Sequence, residues 1–150
     1  MTAKIVVGID GGGSGERAIA FARSIGSKID TCELILVYVI EWSPFTFHTP
    51  EENAERHKRR EEEITAAQER IVDPALASLK DSGLAVKGLV KHGDVAETLD
   101  RIAREEGAEQ IVVARMSDTG IASRIFGSST ANLVMHASAP VTGVARGLST

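Results

Sequence analysis

Short, almost wholly apolar runs rich in β-branched residues recur along this chain, and helical periodicity separates them. Lys4 to Ile9 (Lys-Ile-Val-Val-Gly-Ile) is the first run. Unbroken apolar character, with no polar residue at every second position, is what a strand covered on both faces requires, as in a parallel sheet. Glu33 to Ile40 is a second buried run, and Leu84 to Lys91, Glu109 to Ala114 and Pro140 to Ala145 read as the third, fourth and fifth strands. Between them, Ala18, Phe21, Ala22 and Ile25 recur at helical spacing, as do Val95, Leu99, Ile102 and Ala103 after Asp94. Glu51 to Ser82 is a long polar helical region, ended by Gly83, and Ser128 to Ala137 is a further helix. Asp73-Pro74 either kinks the long helix or restarts it, with Asp73 as N-cap and Pro74 in the first helical position. Gly107 closes the helix that begins at Asp94. Strand alternating with helix in this way predicts an α/β fold: an open five-stranded parallel sheet with helices on both faces.

The size suits this prediction. One hundred and fifty residues, 43% hydrophobic and 25% charged, make one domain over residues 1–150 with a full core. The net charge of −4 and the absence of a Lys/Arg cluster free of acids exclude a nucleic-acid-binding class. The longest apolar run, Leu34 to Ile40, is far too short to insert across a bilayer. Cys32 is the single cysteine, so no internal disulfide forms. Together with a start that runs straight into a strand, this predicts a cytoplasmic protein, with Cys32 as a small core residue. The histidines, His48, His57, His92 and His136, show no metal-ligand spacing. The alternating charges of Glu51 to Arg70, with pairs such as Glu52–Arg56 and Glu55–Arg59, read as an exposed helix face.

In open parallel sheets ligands sit beyond the carboxyl ends of the strands, where the strand order reverses. Two segments lie at such ends. Asp10-Gly11-Gly12-Gly13-Ser14-Gly15 follows the first run. It is not G-x-G-x-x-G, because Glu16 occupies the last glycine position, and no Gly-Lys-Ser/Thr of a Walker loop occurs. The Asp10 carboxylate has two readings: an acceptor for the exocyclic amine of a base, or a cap for the turn and the helix that follows.

The second segment is Ala114-Arg115-Met116-Ser117, then nine residues, then Gly127-Ser128-Ser129-Thr130. A Gly-Ser-Ser cluster opening a helix presents free backbone N–H groups and hydroxyls, which favour anions. Arg115 and Arg124 add positive charge suited to phosphate oxygens. The plainer reading is a helix start capped by Ser128, with two solvated arginines.

The spacing from Ala114 to Ser128 resembles the Gly-x2-Gly-x9-Gly-Ser/Thr element of the nucleotide-binding universal stress proteins. Ala114 and Ser117 stand where that family has its first two glycines, and Gly127-Ser128 keeps the last pair. Asp10, the strand end Tyr38-Val39-Ile40, the His92-Gly93-Asp94-Val95 turn and Ala139-Pro140-Val141 extend the resemblance along the chain, with Val95 in place of the family's proline. The resemblance implies a Rossmann-like, adenine-nucleotide alpha-hydrolase-type fold with strand order 3-2-1-4-5. It implies an ATP site, with or without Mg, in which Asp10 and Val39 hold the base and Gly93 lies at the ribose. Ala114, Arg115, Ser117, Gly127, Ser128 and Ser129 would lie along the phosphates. It also implies a homodimer paired through Pro140 to Ala145, an edge that Gly143 weakens. No nucleophile, general base or metal carboxylate marks the motif, so hydrolysis of ATP is expected to be slow if it occurs. A nucleotide-free dimeric adaptor that regulates a protein partner is the second reading of the two missing glycines.

Overall fold

A computed structural model describes residues 2–10, 13–41, 50–114 and 131–144. Its elements are β1 (Ala3–Ile9), α1 (Gly13–Gly26), β2 (Cys32–Glu41), α2 (Pro50–Ala67), a π-helical segment (Gln68–Val72), α3 (Asp73–Ser78), β3 (Ala85–Gly93), α4 (Val95–Glu106), β4 (Gln110–Ala114), α5 (residues 131–136) and β5 (Val141–Val144). The strands form one sheet in the order β3-β2-β1-β4-β5, and every pairing is parallel. This is the predicted architecture, in the order that the family resemblance implied.

Because side chains alternate across a strand, each buried strand feeds two cores. Ile5, Val7 and Ile9 of β1, with Leu34 and Leu36 of β2 and Val112 and Ala114 of β4, face one core, closed by Ala18 and Ala22 of α1, by Val72 and by Leu79. Val6, Ile35, Val37, Ile111 and Val113 face the other, closed by Leu99, Ile102 and Ala103 of α4 and Leu133 of α5. Central-strand residues such as Ile5, Val6, Leu34 and Ile35 are wholly buried, which is why their runs carry no polar alternation. Cys32 is buried in the first core, and burial, then the charges of Glu109 and Glu33, push its thiol pKa up.

The helix ends follow local chemistry. Asp94 caps α4, its Oδ2 accepting from the Glu97 N–H at 2.9 Å, and Gly107 closes it in the left-handed conformation, φ 66°. The long helical region behaves differently from the N-cap expectation at Asp73. The chain neither breaks nor restarts there. Val72 and Asp73 both keep right-handed helical angles, and the Asp73 N–H donates to the Gln68 carbonyl, five residues back. Pro74 lacks an N–H, and a wide π turn accommodates it without ending the helix. The Asp73 side chain accepts from Gln68 Nε2 at 2.8 Å instead of capping the backbone. On α2, His57 and Glu61 stand 3.2 Å apart as an exposed i,i+4 pair; the side chain of Glu52 lies outside the described residues. The predicted loop over residues 42–49 also lies outside them.

A polar clamp ties the amino ends of β1 and β3 to the end of α4. Lys4 Nζ donates to Glu106 Oε1 at 3.2 Å, and Lys87 Nζ donates to both Glu106 oxygens at 3.1 and 3.2 Å. The hydrogen bonds from Lys87 and Lys4 hold the Glu106 carboxyl below its usual pKa. A depressed folded-state pKa contributes stability above the unfolded value, about 4.3, and that contribution disappears as pH falls through the folded pKa. Glu106→Gln is therefore expected to lower the melting temperature near neutral pH. Its difference from the parent should begin to shrink as pH falls below about 4.3 and should disappear only once pH has passed below the depressed folded-state pKa.

Candidate functional site

Beside the switch point of the sheet, where β1 lies next to β4, a cleft of about 150 Å³ opens between the carboxyl ends of β1 and β2 and the start of α4. Its floor is Gly8. A Cβ at this position would be crowded, 3.0 Å from Val113 Cγ1 and 3.1 Å from Leu99 Cδ1, so glycine lets α4 pack closely on the strand here. Val37 and Val39 of β2 form one wall, and Val95 and Leu99 of α4 form another. Asp10 and Glu41 stand at the mouth.

Two of the residues expected in the site, Asp10 and Val39, thus meet in one cleft. Asp10 also performs the capping role: its Oδ1 accepts from the Gly15 N–H at 3.0 Å, satisfying a donor in the first turn of α1. Gly93 is buried at the end of β3, in register with Glu41 of the cleft. Beside it, His92 Nε2 lies 3.3 Å from Glu63 Oε2, joining β3 to α2. Val7 pairs with Val112, so Ala114 ends β4 at the level at which Ile9 ends β1. Its methyl group is buried in the α1-side core. Arg115, Ser117, Gly127, Ser128 and Ser129 lie outside the described residues, as do Met116 and Arg124.

The electrostatics of the mouth are negative. Burial, and then the charges of Asp10, Glu41 and Glu63, push the Tyr38 phenol pKa up. A site of this kind suits a flat, largely apolar ring that donates a hydrogen bond, and it repels a phosphate. Among the described residues no group of His, Cys, Asp or Glu is placed to hold a metal ion. No helix among them is long and apolar enough to cross a membrane.

Sequence reasoning had not placed Gly8, Leu99 or Glu41 in the site. Gly8 carried a signal: a glycine inside an otherwise β-branched strand marks close approach of another group. Leu99 was legible only as a core position of α4, because its second duty depends on which strand ends the helix covers.

The Universal stress protein family model matches residues 1–145. The chain belongs to the universal stress protein family. No curated protein matches it in sequence. Among solved structures, the hypothetical protein MJ0577 is 23% identical with a TM-score of 0.77, each chain being covered over 98% of its length. A universal stress protein in complex with cAMP is 24% identical over 95% of both chains, TM-score 0.63. An Arabidopsis thaliana universal stress protein family protein with AMP bound is 16% identical, over 97% of this chain and 93% of that one, TM-score 0.65. At these identities the structural likeness carries the fold, and the universal stress protein assignment rests on the family match.

Proposed function

We propose that this universal stress protein is an adenine-nucleotide-binding regulatory protein that acts as a homodimer. The observation that carries the reading is the cleft at the switch point, in which Asp10 and Val39 meet against an apolar wall of Val95 and Leu99. An adenine ring fits its chemistry: the ring buries apolar faces, and its exocyclic amine donates to the Asp10 carboxylate. Two relatives of the same fold, bound to cAMP and to AMP, support the ligand class.

The cleft is small beside the roughly 300–1,000 Å³ of a site that encloses a whole ligand. The negative mouth directs the phosphates away from Asp10 and Glu41. In this reading the ribose passes Gly93, and the phosphates extend toward Arg115, Ser117 and Gly127 to Ser129. The ligand is ATP, with or without Mg. Dimerisation through β5 is supported by its position as an edge strand, which leaves one row of backbone groups open. Val134 and Met135 on α5, 57% and 75% exposed, add apolar surface. The function belongs to the cytoplasm, with hydrolysis of ATP slow if present.

Calorimetric titration of the nucleotide-stripped protein with Mg-ATP and with AMP tests the reading. Saturable binding of both, tighter for ATP, is expected. Absence of heat with either nucleotide would overturn it, and would leave the nucleotide-free adaptor, recognised by a protein partner, as the function of the fold.

A further inference from the structure

On the other face of the sheet from the cleft, α1 and the helix of residues 68–78 run side by side without closing over each other. They leave a groove of about 410 Å³, within the range of small-molecule sites. Its walls are apolar: Ile19 and Ala20 from α1, Ile71, Ala75 and Leu79 from the facing helix. The π turn shapes it. The same wide turn that carries Val72 down onto β3 leaves Arg70 and Ile71 facing α1. Such turns occur disproportionately at functional sites.

The charge around this groove is unbalanced. Two guanidiniums, Arg23 and Arg70, line it against one carboxylate, Glu16. Among the described residues neither guanidinium has an ion-pair or side-chain hydrogen-bond partner, although arginines flanking a carboxylate commonly pair with it. Glu16 and Arg23 lie seven residues apart on one face of α1, about 10 Å along the axis. An apolar trough of that length with excess positive charge on its rim is complementary to an apolar chain carrying one negative group.

We propose that this groove binds an amphipathic monocarboxylate, with the alkyl chain along Ile19, Ala20, Ala75 and Leu79 and the carboxylate held by a rim arginine. The site is separate from the nucleotide cleft. The two share Ile9 at the end of β1, and the Asp10–Gly15 hydrogen bond runs between them.

Calorimetric titration of the full chain with decanoate, kept below its micelle concentration, tests the proposal. One saturable site is expected. The double variant Arg23→Gln/Arg70→Gln should bind about tenfold more weakly, the loss of one charge-assisted contact. Ala20→Trp fills the groove from an exposed position and should abolish binding while circular dichroism and AMP affinity stay unchanged; Ser78→Trp, exposed on the opposite wall, repeats the test independently. Decyltrimethylammonium, with the same chain and the opposite charge, should not bind. Lack of saturation with decanoate, equal affinity for the cation, or decanoate affinity unchanged in both tryptophan variants would overturn the proposal.

Discussion

Replacing Gly88 with alanine is expected to destabilise the protein by about 2–3 kcal/mol, the cost of overpacking a core in which neither neighbour can move away freely. Gly88 lies in β3 beneath the π turn. A Cβ there would overlap Val72 Cγ1, and it would stand 3.3 Å from Leu76 Cδ1. Val72 is wholly buried and held by the turn, so the helix itself must lift from the sheet. In a domain of this size the melting temperature should fall by roughly 5 to 10 °C. The decisive measurement is a double-mutant cycle. Val72→Ala removes the opposing methyl groups and leaves a cavity of its own. If the overlap is the cause, adding Gly88→Ala to Val72→Ala should cost less than about 1 kcal/mol, because the new methyl enters that space. Additive losses would mean that Gly88 matters for another reason.

Asp10→Ala should produce two separable losses. The first is stability, about 1 kcal/mol, from the Gly15 N–H left without its acceptor in the first turn of α1. The second, which rests on the proposed base site, is affinity for AMP, about tenfold, from the loss of a charge-assisted hydrogen bond to the exocyclic amine. Asp10→Asn retains an oxygen that accepts from Gly15, so its melting temperature should stay close to that of the parent, while its AMP affinity drops to an intermediate value. Melting curves and calorimetry on the three proteins separate the roles. An Asp10→Ala variant with lowered stability and undiminished AMP affinity would reduce Asp10 to a helix cap.

These two positions mark where local reading succeeds and where it stops. Asp10, Asp94 and Gly107 were recognisable because capping joins residues within a few positions of each other, and residue type alone decides it. The strand runs were recognisable because burial on both faces imposes one composition over a whole run. Gly88, a glycine inside a strand run, carried the same signal as Gly8, but which group approaches it was not legible. Its role depends on a contact between β3 and Val72 of the helix packed on that strand, and on the π turn that carries Val72 there. Of the two readings of Asp73-Pro74, a kink or a restart with Asp73 as N-cap, the restart failed for the same reason: Pro74 signals a helix start locally, but packing of Val72 and Leu79 into the core carries the helix through it by way of a π turn.

The amino-acid sequence by itself determined the alternation of elements, the parallel character of the sheet, the caps of α4 and the presence of Asp10 and Ala114 at strand ends. The tertiary structure decided the rest. It placed Leu99 over Gly8 to make a cleft, opened a groove between α1 and the helix beyond α2, and brought Lys4 onto Glu106 across 102 positions of chain. Periodicity and capping are written in neighbouring residues, whereas these contacts are pairings between distant segments. Such pairings exist only once the sheet has set the register and spacing of the elements that carry them.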